Sequence, residues 1–95
     1  MFTVYILRSD KTHRFYIGYT RNLEQRILFH NAGLNKSTKH GIPWKIVYTE
    51  KFETVHESTQ RENFLKKQKN TAFYEKIINL KRSSDVPNRY DRIVI

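Results

Sequence analysis

Residues 2–7, FTVYIL, and 15–20, FYIGYT, are dominated by β-branched and aromatic side chains, and the polar stretch SDKTH lies between them. Two short apolar runs separated by turn residues predict a β-hairpin. With Arg8 paired to His13 across a four-residue loop, the antiparallel register sets Tyr5 directly opposite Tyr16, with Cβ atoms roughly 5 Å apart on one face. A slip of one residue would send the two tyrosines to opposite faces.

The pattern then changes period. In NLEQRILFHNAG, Asn22 is a cap, Gln25 stands at the third helical position of a capping box and Gly33 supplies a stop, which predicts a helix over 23–32. Leu23 and Ile27 form its apolar stripe, and Arg26 and His30, also one turn apart, lie beside that stripe at the edge of the core. Residues 33–43, GLNKSTKHGIP, have no periodicity and read as a basic loop. WKIVYTEKF, residues 44–52, reads as a third strand, which completes a small sheet because a lone hairpin is barely stable. Two helices follow, over 55–69 with Val55, Phe64 and Leu65 as apolar anchors, and over 72–81 with Phe73, Ile77 and Leu80. The expected architecture is α/β of the α+β kind: a three-stranded antiparallel sheet flanked by helices. The domain spans 1–82, and residues 83–95, with turn signals and then a short apolar end, form a tail packed on it or flexible beside it.

Length confines this pattern to one domain of 95 residues. Hydrophobic residues make up 38% of the chain, with six Tyr, six Phe and one Trp, too many large apolar groups for a disordered segment. Cys is absent, which excludes disulfides, thiolate metal sites and cysteine nucleophiles. There is no secretory leader pattern and no run of about 18 apolar residues, so the expected location is the cytoplasm. Charge changes the picture most. Lys and Arg number 18 against nine Asp and Glu, a formal charge of +9, and this favours nucleic acid as partner. A basic membrane-surface helix would need an exposed apolar face, and this small domain needs those faces for its core.

Thr3-Val4-Tyr5 and Tyr16-Ile17-Gly18, followed by Arg26, His30 and Glu62 in that order, resemble the GIY-YIG endonucleases. The first half-motif departs from the family's Gly-Ile-Tyr by Thr at position 3; the second is intact. The resemblance covers residues 3–69 and is to small stand-alone bacterial members rather than to homing endonucleases. It implies that Tyr5, Tyr16, Arg26, His30 and Glu62 are catalytic and face one solvent-accessible cleft, and that Glu62 is the metal ligand. Asn70 is a candidate for an Asn that lines the site in some members.

Phosphodiester hydrolysis needs a nucleophilic water, a proton acceptor, positive charge on the developing phosphorane and help for the leaving oxygen. Tyr5 is the base that the resemblance suggests, provided neighbouring cations favour its phenolate, since the usual phenol pKa is about 10. Tyr16 would orient water or phosphate. Arg26 offers a bidentate fork for phosphate oxygens, and His30 would bond the same phosphate or assist proton transfer. Glu62 would hold one divalent cation, Mg²⁺ or Mn²⁺, weakly without substrate. No small-molecule cofactor is expected. Lys36, Lys39 and His40 in the loop, and Lys66, Lys67 and Lys69 after Glu62, are candidate phosphate contacts.

Each residue also has a plainer reading. Strand tyrosines commonly pack, Arg26 with His30 is an ordinary helix face, and Glu62 with Lys66 is an ordinary surface pair. Their ordered coincidence favours a metal-dependent DNA endonuclease; branched, nicked, damaged and plain duplex DNA all present it with the same phosphate, and the residues do not choose among them. A non-catalytic nucleic-acid-binding or partner-docking module is the alternative, and nothing in the residues separates DNA from RNA.

Overall fold

The structure is a computed structural model that describes residues 1–85. Its elements are β1 (Phe2–Ser9), β2 (Phe15–Thr20), α1 (Leu23–Asn31), a 3₁₀ turn (Lys39–Gly41), β3 (Trp44–Phe52), α2 (Val55–Gln68) and α3 (Thr71–Asp85). The three strands form one antiparallel sheet in the order β2-β1-β3, as the sequence predicts. α3 runs through Ser83 and Ser84, past its expected end. The rest of the expected tail, residues 86–95, lies outside the described residues.

The hairpin register differs from the expected one by two positions. Arg8 pairs with Phe15, Leu7 with Tyr16 and Tyr5 with Gly18. The turn is the cause. Ser9 Oγ accepts from the backbone N–H groups of Lys11 (3.1 Å) and Thr12 (2.9 Å), and His13 takes the left-handed conformation at φ 65°. This closes a longer loop, with Ser9 N–H donating to Arg14 C=O at 2.9 Å. Because the offset is even, Tyr5 and Tyr16 still share a face.

Alternation along β1 splits the core in two. Val4 and Ile6 point to one face and pack with Ile17, Tyr48, Leu65, Tyr74 and Ile78. Tyr5 and Leu7 point to the other and pack with Trp44, Tyr16, Leu23 and Ile27. Helix α1 thus covers the tyrosine face, and α2 and α3 supply the larger cluster.

The helix anchors are only partly those expected. On α2, Val55 and Phe64 are exposed, while Ser58 and Leu65 are fully buried, with Arg61 and Glu62 half-buried between them. The inward face of α2 is therefore largely polar. On α3, Tyr74 and Ile78 are the buried positions, with Phe73 and Ile77 packed beside them and Leu80 exposed. Capping explains the helix starts. Asn22 Oδ1 accepts from Gln25 N–H at 3.1 Å, as expected. A complete capping box, unpredicted, joins Thr54 and Glu57 at the start of α2. Gly33, at φ 78°, ends α1 in the left-handed region where glycine is favoured.

Candidate active site

The tyrosine face presents the site. Tyr5 stands at the middle of the central strand, 2% exposed, and its hydroxyl lies 3.1 Å from His30 Nε2. Gly18, its cross-strand partner, makes room for the phenol: a Cβ there would fall 2.6 Å from Tyr5 Oη. His30, on the last turn of α1, is fully buried rather than at the edge of the core. Both its ring nitrogens are engaged, Nε2 with Tyr5 and Nδ1 with Thr38 Oγ1 at 2.9 Å. Its polar atoms thus face inward, toward Tyr5 and Thr38. Tyr16 is half-buried, its ring 5.0 Å from the imidazole and 6.3 Å from the Trp44 indole, both edge-on.

Charged groups complete the arrangement. Arg26, one turn before His30, is half-buried with its guanidinium 5.3 Å over the Phe29 ring. Glu62, on the polar face of α2, has a side chain only 14% exposed and lies 3.3 Å from Lys66 Nζ. Burial pushes the Tyr5 phenol well above the usual tyrosine range; Tyr16 and Glu62 push the same way, and Arg26 opposes them. Burial thus outweighs the cationic influence of Arg26 on the phenol. Burial, and then Arg26, hold His30 below the usual histidine range. The fields of Tyr16, Arg26 and Glu62 therefore converge on Tyr5, and His30 completes the group of five.

The expected single open cleft is not what surrounds them, because Tyr5 and His30 lie beneath the surface. Tyr16 instead lines two open grooves. One, of about 550 Å³, includes Arg14, Lys66, Lys69 and Asn70; the other, of about 640 Å³, includes Arg14, Ser37, His40 and Trp44. Arg26 lines a further groove of about 540 Å³ along α1. Of the expected phosphate contacts, Lys66, Lys69 and His40 thus border Tyr16, whereas Lys36, Lys39 and Lys67 are exposed and line neither groove beside it. Asn70 also caps α3, its Oδ1 accepting from Phe73 N–H at 3.2 Å.

Sequence reasoning missed the anchoring of the basic loop. Thr38 is fully buried, and its carbonyl accepts from Trp44 Nε1–H at 2.7 Å. Asn31 in turn clamps the Trp44 backbone, accepting from its N–H at 2.7 Å and donating to its C=O at 3.1 Å. A lone Thr in an aperiodic loop carries no pattern that marks it as buried. Arg14 was also missed, as a single cation in a turn.

A family model, the GIY-YIG catalytic domain, matches residues 1–79. The chain belongs to the GIY-YIG family. Among similar proteins, a UPF0213 protein of Clostridium perfringens is 46% identical over 65 residues, 67% of this chain and 69% of that protein. A UPF0213 protein of Natronomonas pharaonis is 40% identical over 65 residues, 66% of this chain and 74% of its own length. The solution NMR structure of a UPF0213 protein from Bacillus halodurans aligns with a TM-score of 0.53 at 30% identity, over 85% of this chain and 86% of that one. Membership in the GIY-YIG family implies nuclease activity and a nucleic-acid substrate. Among the described residues, no helix is long and apolar enough to cross a membrane.

Proposed function

We propose that this GIY-YIG chain is a metal-dependent DNA endonuclease. The observation that carries the reading is the convergence of Arg26, Glu62 and Tyr16 on one buried phenol that is already hydrogen-bonded to His30. A purely packing tyrosine has no need of a carboxylate, a guanidinium and an imidazole around it, and the grooves beside Tyr16 are lined with Arg14, Lys66 and Lys69.

Glu62 is the residue to hold a cation. Its carboxylate is largely shielded and its one ion pair is to a half-exposed lysine; among the described residues no group of three His, Cys, Asp or Glu is close enough to form a closed metal site. One carboxylate fits Mg²⁺ or Mn²⁺, which complete their shells with water and substrate phosphate. When bound, the cation would supply charge for the scissile phosphate and the leaving oxygen.

The remaining chemistry belongs to the chain. The Tyr5 phenol is neutral at rest, so it acts as base by passing its own proton to His30 Nε2 while taking one from the attacking water, a step that requires the cover over the phenol to open and admit that water. Burial first, and Arg26 second, disfavour the imidazolium, and a phosphate bound at the Arg26 guanidinium relieves the second of these. Proton transfer is thereby tied to substrate occupancy. Tyr16, at the meeting of the two grooves, orients the phosphate or the water through its hydroxyl.

Cleavage of linear, nicked, branched and single-stranded DNA with Mg²⁺ and Mn²⁺ tests the reading. Glu62→Gln should lower cleavage by orders of magnitude and leave DNA affinity intact or slightly raised, because one negative charge is removed. Equal metal-dependent cleavage by wild type and Glu62→Gln would overturn the role of Glu62. Wild-type binding with no cleavage on any substrate would favour a non-catalytic binding module.

A further inference from the structure

We infer that Thr38 is a positioning residue: by accepting from Nδ1–H of His30 it stabilises the tautomer that the Tyr5 hydroxyl requires, the one in which Nε2 is an acceptor. The role in catalysis rests on the function proposed above; the tautomer itself does not.

The inference follows from where each proton can go. Neutral imidazole has one donor and one acceptor nitrogen, and a neighbour on one nitrogen decides the state of the other. Tyr5 is 2% exposed, and among the described residues its hydroxyl has no hydrogen-bond partner besides His30 Nε2. Were Nε2 protonated, the phenolic proton would be left buried without an acceptor, a costly arrangement. With Nε2 as acceptor, Nδ1 must carry the proton and donate it to Thr38 Oγ1 at 2.9 Å. The Thr38 hydroxyl then directs its own proton to Asn35 C=O at 3.5 Å. Every donor from Tyr5 to Asn35 has an acceptor in this sense of the chain. Reversing it strands the phenol.

Thr38 is also held where it must be. Its carbonyl accepts from Trp44 Nε1–H at 2.7 Å and from Gly41 N–H at 3.0 Å, and its own N–H donates to Asn35 C=O at 3.1 Å. Trp44 is fixed by Asn31, the residue after His30 on α1. The helix that carries the imidazole thus anchors, through Asn31 and Trp44, the hydroxyl that orients it.

Long-range ¹⁵N–¹H NMR of the imidazole, with the His30 signals assigned by their loss in His30→Gln, reads the tautomer without any cleavage. Wild type should show Nδ1 protonated and Nε2 bare. Thr38→Val, which keeps the shape and deletes the hydroxyl, should shift the population toward Nε2–H; Thr38→Ser should restore the wild-type pattern. Cleavage should follow, with kcat down at least tenfold in Thr38→Val, KM little changed, and recovery in Thr38→Ser. A wild-type spectrum with Nε2 protonated would overturn the inference, as would a folded Thr38→Val with an unchanged tautomer. If Thr38→Val fails to fold, Thr38→Ala, which also removes the hydroxyl, takes its place, and an unchanged tautomer there overturns the inference. A tautomer that moves as expected in a chain that cuts nothing would support the positioning role and refute the nuclease reading.

Discussion

A buried imidazole held neutral couples the site to pH. In the folded chain His30 binds its proton less readily than in the unfolded chain, because burial and Arg26 both disfavour the cation. Between its depressed value and the ordinary histidine value of about 6.5, the unfolded chain therefore binds more protons, and stability rises with pH through that window. Its contribution is fully present above about 6.5 and is lost as pH falls toward the depressed value. Thermal denaturation of wild type and His30→Gln from pH 7.5 to 5 checks this: the wild-type Tm should fall more steeply, and parallel curves would contradict it. The Tyr5 phenol works in the opposite range, since its raised value makes the folded state lose stability as pH climbs past about 10.

At the level of elements, α2 is the informative case. Its inward face carries Ser58, Arg61 and Glu62 beside a single buried Leu65, so apolar periodicity points to the wrong residues, Val55 and Phe64. The polar face has work on both sides. Arg61 Nε–H donates to Glu50 at 2.7 Å, and Tyr48 donates to the same carboxylate at 3.1 Å, tying α2 to β3, while Glu62 pairs with Lys66 and acts on Tyr5 through its charge. With so little apolar burial, α2 leans on its capping box. Thr54→Ala should cost about 1 kcal/mol, a Tm drop of roughly 4–8 °C in a chain this small, measurable by circular dichroism. The strands were legible because β-branched and aromatic runs are bounded by turn residues, and α1 because Asn22 and Gly33 mark its two ends. The hairpin register was not, since Ser9 and His13 lengthen the turn by side-chain capping and a left-handed backbone, which composition does not encode. The shared face of Tyr5 and Tyr16 survived only because the offset was even. The candidate site residues were picked out by family pattern; Thr38, whose carbonyl is held by Trp44 Nε1–H, was not.

For the molecule as a whole, the +9 charge sets the terms of association. DNA affinity should fall with salt with a log–log slope of about −0.9 per neutralised phosphate, so titration between low and physiological salt counts the contacts. A flat profile would argue against nucleic acid as the partner. Arg14→Ala, removing a cation that lines both grooves beside Tyr16, should lower that slope by about one.

Strand β1 is paired along both edges, with β2 on one side and β3 on the other, and Tyr5 sits at its centre. Amides there can exchange with solvent only when the whole domain opens, so the slowest hydrogen exchange in the chain should be found around Val4, Tyr5 and Ile6. A candidate site centred on the last strand to open should lose Tyr5 only with the whole domain, provided α2 and its Glu62 stay docked. Activity and tertiary structure should then disappear at the same denaturant concentration. A loss of cleavage that precedes global unfolding would place the limiting weakness in the loop that carries Thr38 rather than in the sheet that carries Tyr5.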